Sequence, residues 1–96
     1  MTKDEKSYQS KVAALGCIAC RLDGIENMQV SIHHCNGRVK SGCEMQVLAL
    51  CGQHHQTGGE QAPAIHPFKR RFEAKYGSQE YLMQLTADWI NDGALP

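Results

Sequence analysis

Tyr8, Val12 and Leu15 recur at i, i+4 and i+7 with polar and charged residues between them. That spacing predicts a short amphipathic helix, and Gly16 is placed to end it. Residues 28–33 alternate apolar and polar with period two, which predicts a strand with one buried face. Residues 35–43 are rich in turn formers and read as a hairpin loop, after which residues 45–50 return as a second strand. Residues 57–63 read as a loop, and Pro67 suits the first position of a new helix, where a missing N–H costs nothing. Phe68, Phe72 and Tyr76 follow at i, i+4 and i+8, with Gly77 as the stop. Ser78 is placed to cap a final helix carrying Tyr81, Leu82, Leu85, Trp89 and Ile90, ending at Asn91, Asp92 and Gly93. The order helix, knuckle, hairpin, knuckle, helix, helix predicts one small α+β domain over residues 1–96.

Composition narrows the class. A chain of 96 residues buries only roughly two thirds of the surface it exposes when unfolded, so a metal staple would matter to its stability. Ten Lys and Arg balance ten Asp and Glu, which removes any bulk attraction to nucleic acid and requires a local basic patch for DNA contact. The longest apolar run, Val47 to Cys51, is far below the ~20 residues that span a bilayer. The first residues lack the apolar core of a signal peptide. The expectation is a soluble, cytoplasmic protein with no membrane partner.

Five cysteines is an odd count for a disulfide framework. Cys17 and Cys20 form one Cys-x-x-Cys hook, and Cys51 and His54 form a second with the same spacing. Structural zinc takes four tetrahedral thiolate or imidazole ligands, and a two-residue spacer aims both members of a hook at one ion. Cys17, Cys20, Cys51 and His54 are therefore expected to hold a structural zinc. A redox role for Cys17 and Cys20 is the weaker alternative, because an amphipathic helix rather than a strand precedes them. If residues 51–55 enter a helical turn, His55 is rotated by roughly 100° from His54. It then faces a second site, where His33 or His34 can meet it. Strand alternation sends His33 and His34 to opposite faces, so both serve one site only if the strand twists or ends there.

The sequence Cys17-Ile18-Ala19-Cys20, then Ile32-His33-His34-Cys35, then Leu50-Cys51-Gly52-Gln53-His54-His55 resembles the HNH (His-Me finger, ββα-metal) endonucleases. With Gln56-Thr57-Gly58-Gly59, Ala64-Ile65-His66 and Phe72-Glu73-Ala74-Lys75-Tyr76-Gly77 added, it is similar to the Ref-like phage subset, the RecA-dependent nucleases. The resemblance covers residues 16 to about 85. It implies a treble-clef domain and a DNA endonuclease of phage or prophage origin that works with a RecA nucleoprotein filament. It also implies His34 as general base, a catalytic ion on His33 and His55, and His66 as a further ligand. The motif's middle asparagine falls on Gln46, with Asn36 as the alternative for that role.

The chemistry asks for these residue types. Phosphodiester hydrolysis needs a neutral imidazole to take a proton from water, and a divalent ion to stabilise charge on the phosphate and the leaving oxygen. An imidazole-rich site suits Mn2+ or another transition metal better than Mg2+, although phosphate oxygens and water also fill coordination positions. Arg38, Lys40, Lys69, Arg70 and Arg71 are the expected phosphate contacts. No residue set resembles base readout, so cleavage with little sequence preference is expected. The rival reading is a non-catalytic zinc-binding module that grips nucleic acid or protein.

Overall fold

The computed structural model describes residues 1–38, 42–57, 64–66 and 68–91. The expected loop over residues 58–63, Pro67 as a helix start, Lys40, and the stop at Asp92 and Gly93 lie outside the described residues. Helix α1 (Lys3–Ala14) begins earlier than its apolar pattern, because a capping box sets the start. The Thr2 hydroxyl accepts from the Glu5 N–H at 3.1 Å, and the Glu5 carboxylate accepts from the Thr2 N–H at 2.7 Å. Gly16 ends the segment at φ +79°, and a Cβ there would lie 2.8 Å from the Asn27 carbonyl oxygen. That same carbonyl accepts from the Cys17 N–H at 2.8 Å, so glycine lets the chain close onto the knuckle.

The knuckle opens a short helix, α2 (Ile18–Leu22), which the sequence pattern did not show. Strands β1 (Val30–His34) and β2 (Val47–Cys51) pair antiparallel, with His33 opposite Leu48 and His34 opposite Val47. The second strand starts later than expected because Cys43–Met45 forms a 3-10 turn behind Gly42 at φ +79°. Every residue of β2 is buried, since both its faces are covered. Leu48 and Leu50 pack with Ile18, Phe72, Tyr76 and Leu82, whereas Val47 and Ala49 pack with Val12 of α1. β1 is covered less completely.

After β2, Gln53–Thr57 forms a π-helical turn. Its carbonyls at His54 and His55 accept from the N–H groups of Ile65 and His66, at 2.8 and 3.1 Å. Helices α3 (Lys69–Tyr76) and α4 (Gln79–Asn91) follow. Of the expected aromatic stripe, Phe72 and Tyr76 are buried with ring centroids 5.0 Å apart, but Phe68 is exposed at the helix start. Tyr81 is likewise exposed, whereas Leu82 reaches the core. Ser78 accepts from the Tyr81 N–H at 3.1 Å, the expected capping contact. The result is a small α+β fold: a two-stranded hairpin between α1 on one face and α2, α3 and α4 on the other.

Candidate functional site

The two hooks converge. The sulfurs of Cys17, Cys20 and Cys51 and one nitrogen of His54 all lie within 4.8 Å of one another, and all four residues are buried. Nδ1 of His54 is 3.5, 3.4 and 3.2 Å from the sulfurs of Cys17, Cys20 and Cys51. The Cys20 and Cys51 sulfurs are 3.8 Å apart. A zinc ion with ordinary Zn–S and Zn–N lengths sets tetrahedron edges of about 3.8 Å between sulfurs and about 3.6 Å between sulfur and nitrogen. The donor set and its spacing fit that ion.

The surroundings fit it too. The Cys20 N–H donates to the Cys17 sulfur at 3.4 Å, and the Asn27 side-chain amide approaches the Cys20 sulfur at 3.8 Å. Nε2–H of His54 donates to the Tyr76 hydroxyl at 2.9 Å, and that hydroxyl donates to the Asp23 carboxylate at 2.7 Å. This chain fixes the tautomer that leaves Nδ1 free for a metal. Burial pushes the Cys17 thiol up, and the Cys20 thiol up to about 12. A redox Cys-x-x-Cys instead depends on a lowered thiol pKa. All five cysteines are free. Without a cation the Cys17 and Cys20 thiols stay protonated, which argues against the redox alternative.

A second cluster forms from His33, His55 and His66, each offering a ring nitrogen within 4.8 Å of the others. Ring centroids stand 5.1 Å apart for His33 and His55, and 4.9 Å for His33 and His66. His33 sits on the α3–α4 face of β1. The π-helical turn carries His55 away from the buried Cys/His cluster, and the pairing of residues 65 and 66 with that turn delivers His66. Nε2–H of His33 donates to the Gln79 side-chain oxygen at 2.8 Å, and Nδ1 of His55 lies 2.9 Å from the Ser31 hydroxyl. Nδ1 of His33 and Nε2 of His55 are thus the nitrogens available to an ion. Burial holds the His33 imidazole below its ordinary range, against the Gln79 hydrogen bond and with help from neighbouring histidines. Burial and then His66 lower His55 as well. Rings kept neutral in this way retain the lone pairs a metal needs, so the donor set fits a divalent transition ion.

His34 goes the other way. Cross-strand pairing puts it on the α1 face, as alternation requires. Its Nε2 lies 3.2 Å from the Glu44 carboxylate, and its Nδ1 is buried with no hydrogen-bond partner among the described residues. His33 and His34 nevertheless border one cavity of about 550 Å3, which four consecutive residues, Ile32 to Cys35, line together with His55, His66, Gln79, Arg38 and Lys69. The condition that the strand end here is met by the turn at Cys35 and Asn36.

Of the expected phosphate contacts, Arg38 and Lys69 line the cavity. Arg70 is exposed outside the lining, and the Arg71 guanidinium lies 5.6 Å over the Phe68 ring. The two residues considered for the middle of the motif bond each other, Asn36 donating to the Gln46 side-chain oxygen at 2.8 Å. Among the described residues neither side chain hydrogen-bonds the His34 ring, whereas Glu44 does. Sequence reasoning missed Glu44, Gln79, Tyr76 as a hydroxyl, and Asp23. Glu44 had a signal: it is the single acidic residue between Glu26 and Glu60.

A family model for recombination enhancement, RecA-dependent nuclease, matches residues 1–91. The match covers nearly the whole chain and both clusters, so this protein belongs to the RecA-dependent nuclease family.

Proposed function

We propose that this protein is a metal-dependent DNA endonuclease of the HNH type on a treble-clef scaffold. In this reading Cys17, Cys20, Cys51 and His54 hold a structural zinc, and His33, His55 and His66 hold the catalytic ion. The observation that carries it is the second cluster: three imidazoles converge in an open cavity, apart from the buried Cys/His cluster and beside two cations. A purely structural zinc module has no use for such a site.

His34 serves as general base in this scheme. Its Nδ1 takes a proton from water, the water oxygen attacks phosphorus, the bond to the leaving oxygen breaks, and the leaving oxygen gains a proton from solvent. Nδ1 is the nitrogen that makes no hydrogen bond within the described protein. Arg38 and Lys69 hold the phosphate strand across the cavity mouth. A divalent ion on the three histidines supplies charge stabilisation at the phosphate and the leaving oxygen.

Zero net charge favours dependence on a partner that presents the strand. A recombinase filament of the RecA type offsets weak intrinsic affinity by raising the effective concentration of DNA at the site. We place the protein in the cytoplasm of a bacterial host, encoded by a phage or prophage. No helix among the described residues is long and apolar enough to cross a membrane. The test is a nicking assay with Mg2+ or Mn2+, run with RecA and ATP and without them. Cleavage that requires the metal and rises with the filament is expected. No cleavage in either arm, with both metal sites loaded, would favour the binding module.

A further inference from the structure

Glu44 has no part in either metal cluster, yet it occupies the centre of a connected polar array. One carboxylate oxygen lies 3.2 Å from Nε2 of His34. The other accepts from the Gln9 side-chain amide at 3.2 Å, and that same amide donates to the Glu44 backbone carbonyl at 2.8 Å. Gln9 belongs to α1, so the helix packed on this face of the hairpin holds Glu44 by backbone and side chain at once. The 3-10 turn Cys43–Met45 sets Glu44 under the end of β1. His34 itself is nearly enclosed, with a side-chain exposure of 9%.

A carboxylate can only accept in such a pair, so in the neutral form of the ring the hydrogen sits on Nε2 and the lone pair on Nδ1. Nδ1 is the buried nitrogen with no partner among the described residues. We propose that Glu44, held by Gln9, is a positioning residue that fixes the ring of His34 and its Nε2–H tautomer, and thereby keeps the Nδ1 lone pair free for the proton transfer. This rests on the assignment of His34 as general base. The role generalises beyond any one family: a buried carboxylate on the far nitrogen of a histidine base selects the tautomer and leaves the proton transfer to the histidine.

The experiment compares wild type, His34→Ala, Glu44→Ala, Glu44→Gln and Gln9→Leu in the metal-dependent nicking assay, with zinc content and Tm measured on each. Histidine 15N NMR reports the His34 tautomer. Glu44→Ala is expected to lower kcat by about 10- to 100-fold at unchanged KM, with the zinc retained and the tautomer mixed. Glu44→Gln, whose amide can turn its NH2 toward Nε2, should hold the ring in place yet admit the Nδ1–H tautomer and lose kcat as well, and Gln9→Leu should show a smaller fall in kcat of the same kind. If Glu44→Ala loses its zinc or its fold, Gln9→Leu decides: a lowered kcat with a mixed tautomer supports the role, and wild-type values overturn it. Wild-type kcat in Glu44→Ala beside an inactive His34→Ala would overturn the proposal and leave the base assignment standing. Full activity in His34→Ala would remove that assignment and the proposal with it.

Discussion

The hydroxyl of Tyr76 lies 2.9 Å from Nε2 of His54, across the ring from the three cysteine sulfurs, and donates onward to Asp23 at 2.7 Å. The aromatic stripe of α3 thus does more than fill the core: its last ring orients a candidate zinc ligand from behind. Tyr76→Phe should preserve the packing with Phe72 but release the imidazole, weakening zinc binding by about 10- to 100-fold. Competition with a chromogenic chelator measures this. An unchanged zinc affinity would reduce Tyr76 to a core residue.

Cys51→Ser should lose the zinc together with much of the fold. The four donors come from a short helix, a strand end and a π-helical turn, and structural zinc binding in such a site is folding free energy. Metal analysis with circular dichroism checks it. A well-folded, zinc-free protein would contradict the zinc assignment.

Acid should destabilise the histidine cluster. His33 and His55 titrate below their ordinary values because they are buried, so the unfolded chain binds the more protons. The stability they contribute is therefore present above the unfolded value of about 6.5 and is lost as pH falls through the lower folded values. Tm measured from pH 8 to pH 5 should fall more steeply for wild type than for the double variant His33→Gln, His55→Gln. Equal slopes would show that these rings do not carry the effect.

Much of this arrangement was legible because it lies in local spacing. Two Cys-x-x-(Cys/His) hooks state their own geometry, and the alternation at residues 28–33 marked the strand and sent His33 and His34 to opposite faces, although His33, on the polar side of that pattern, is the most buried residue of β1. Gly16 and Gly77 end their helices as expected, at φ +79° and +110°. What escaped depends on tertiary placement. Glu44 meets His34 only because a 3-10 turn interrupts the second strand pattern, and Gln79 meets His33 across 46 positions. Phe68 had the right spacing for the core but lies at the exposed start of α3. Periodicity predicts the face of a helix, not where that helix begins.

Position at the cavity separates the proposed phosphate contacts from ordinary surface charge. Arg38 and Lys69 line it, whereas Arg70 does not. Arg38→Ala and Lys69→Ala should each weaken DNA binding and reduce the slope of log K against log salt by about 0.7 to 0.9. Arg70→Ala should change both far less. A salt titration of binding by anisotropy checks this, and equal effects at all three positions would place the strand elsewhere.

The most direct test of the nuclease assignment is His34→Ala in the metal-dependent nicking assay, with zinc content and Tm read on the same preparation. Loss of positioned proton transfer should lower the rate by ~10² to 10⁴, while the zinc and the thermal stability stay at wild-type values. Cleavage at the wild-type rate would contradict the account, and a loss of zinc and fold as deep as in Cys51→Ser would mark His34 as structural.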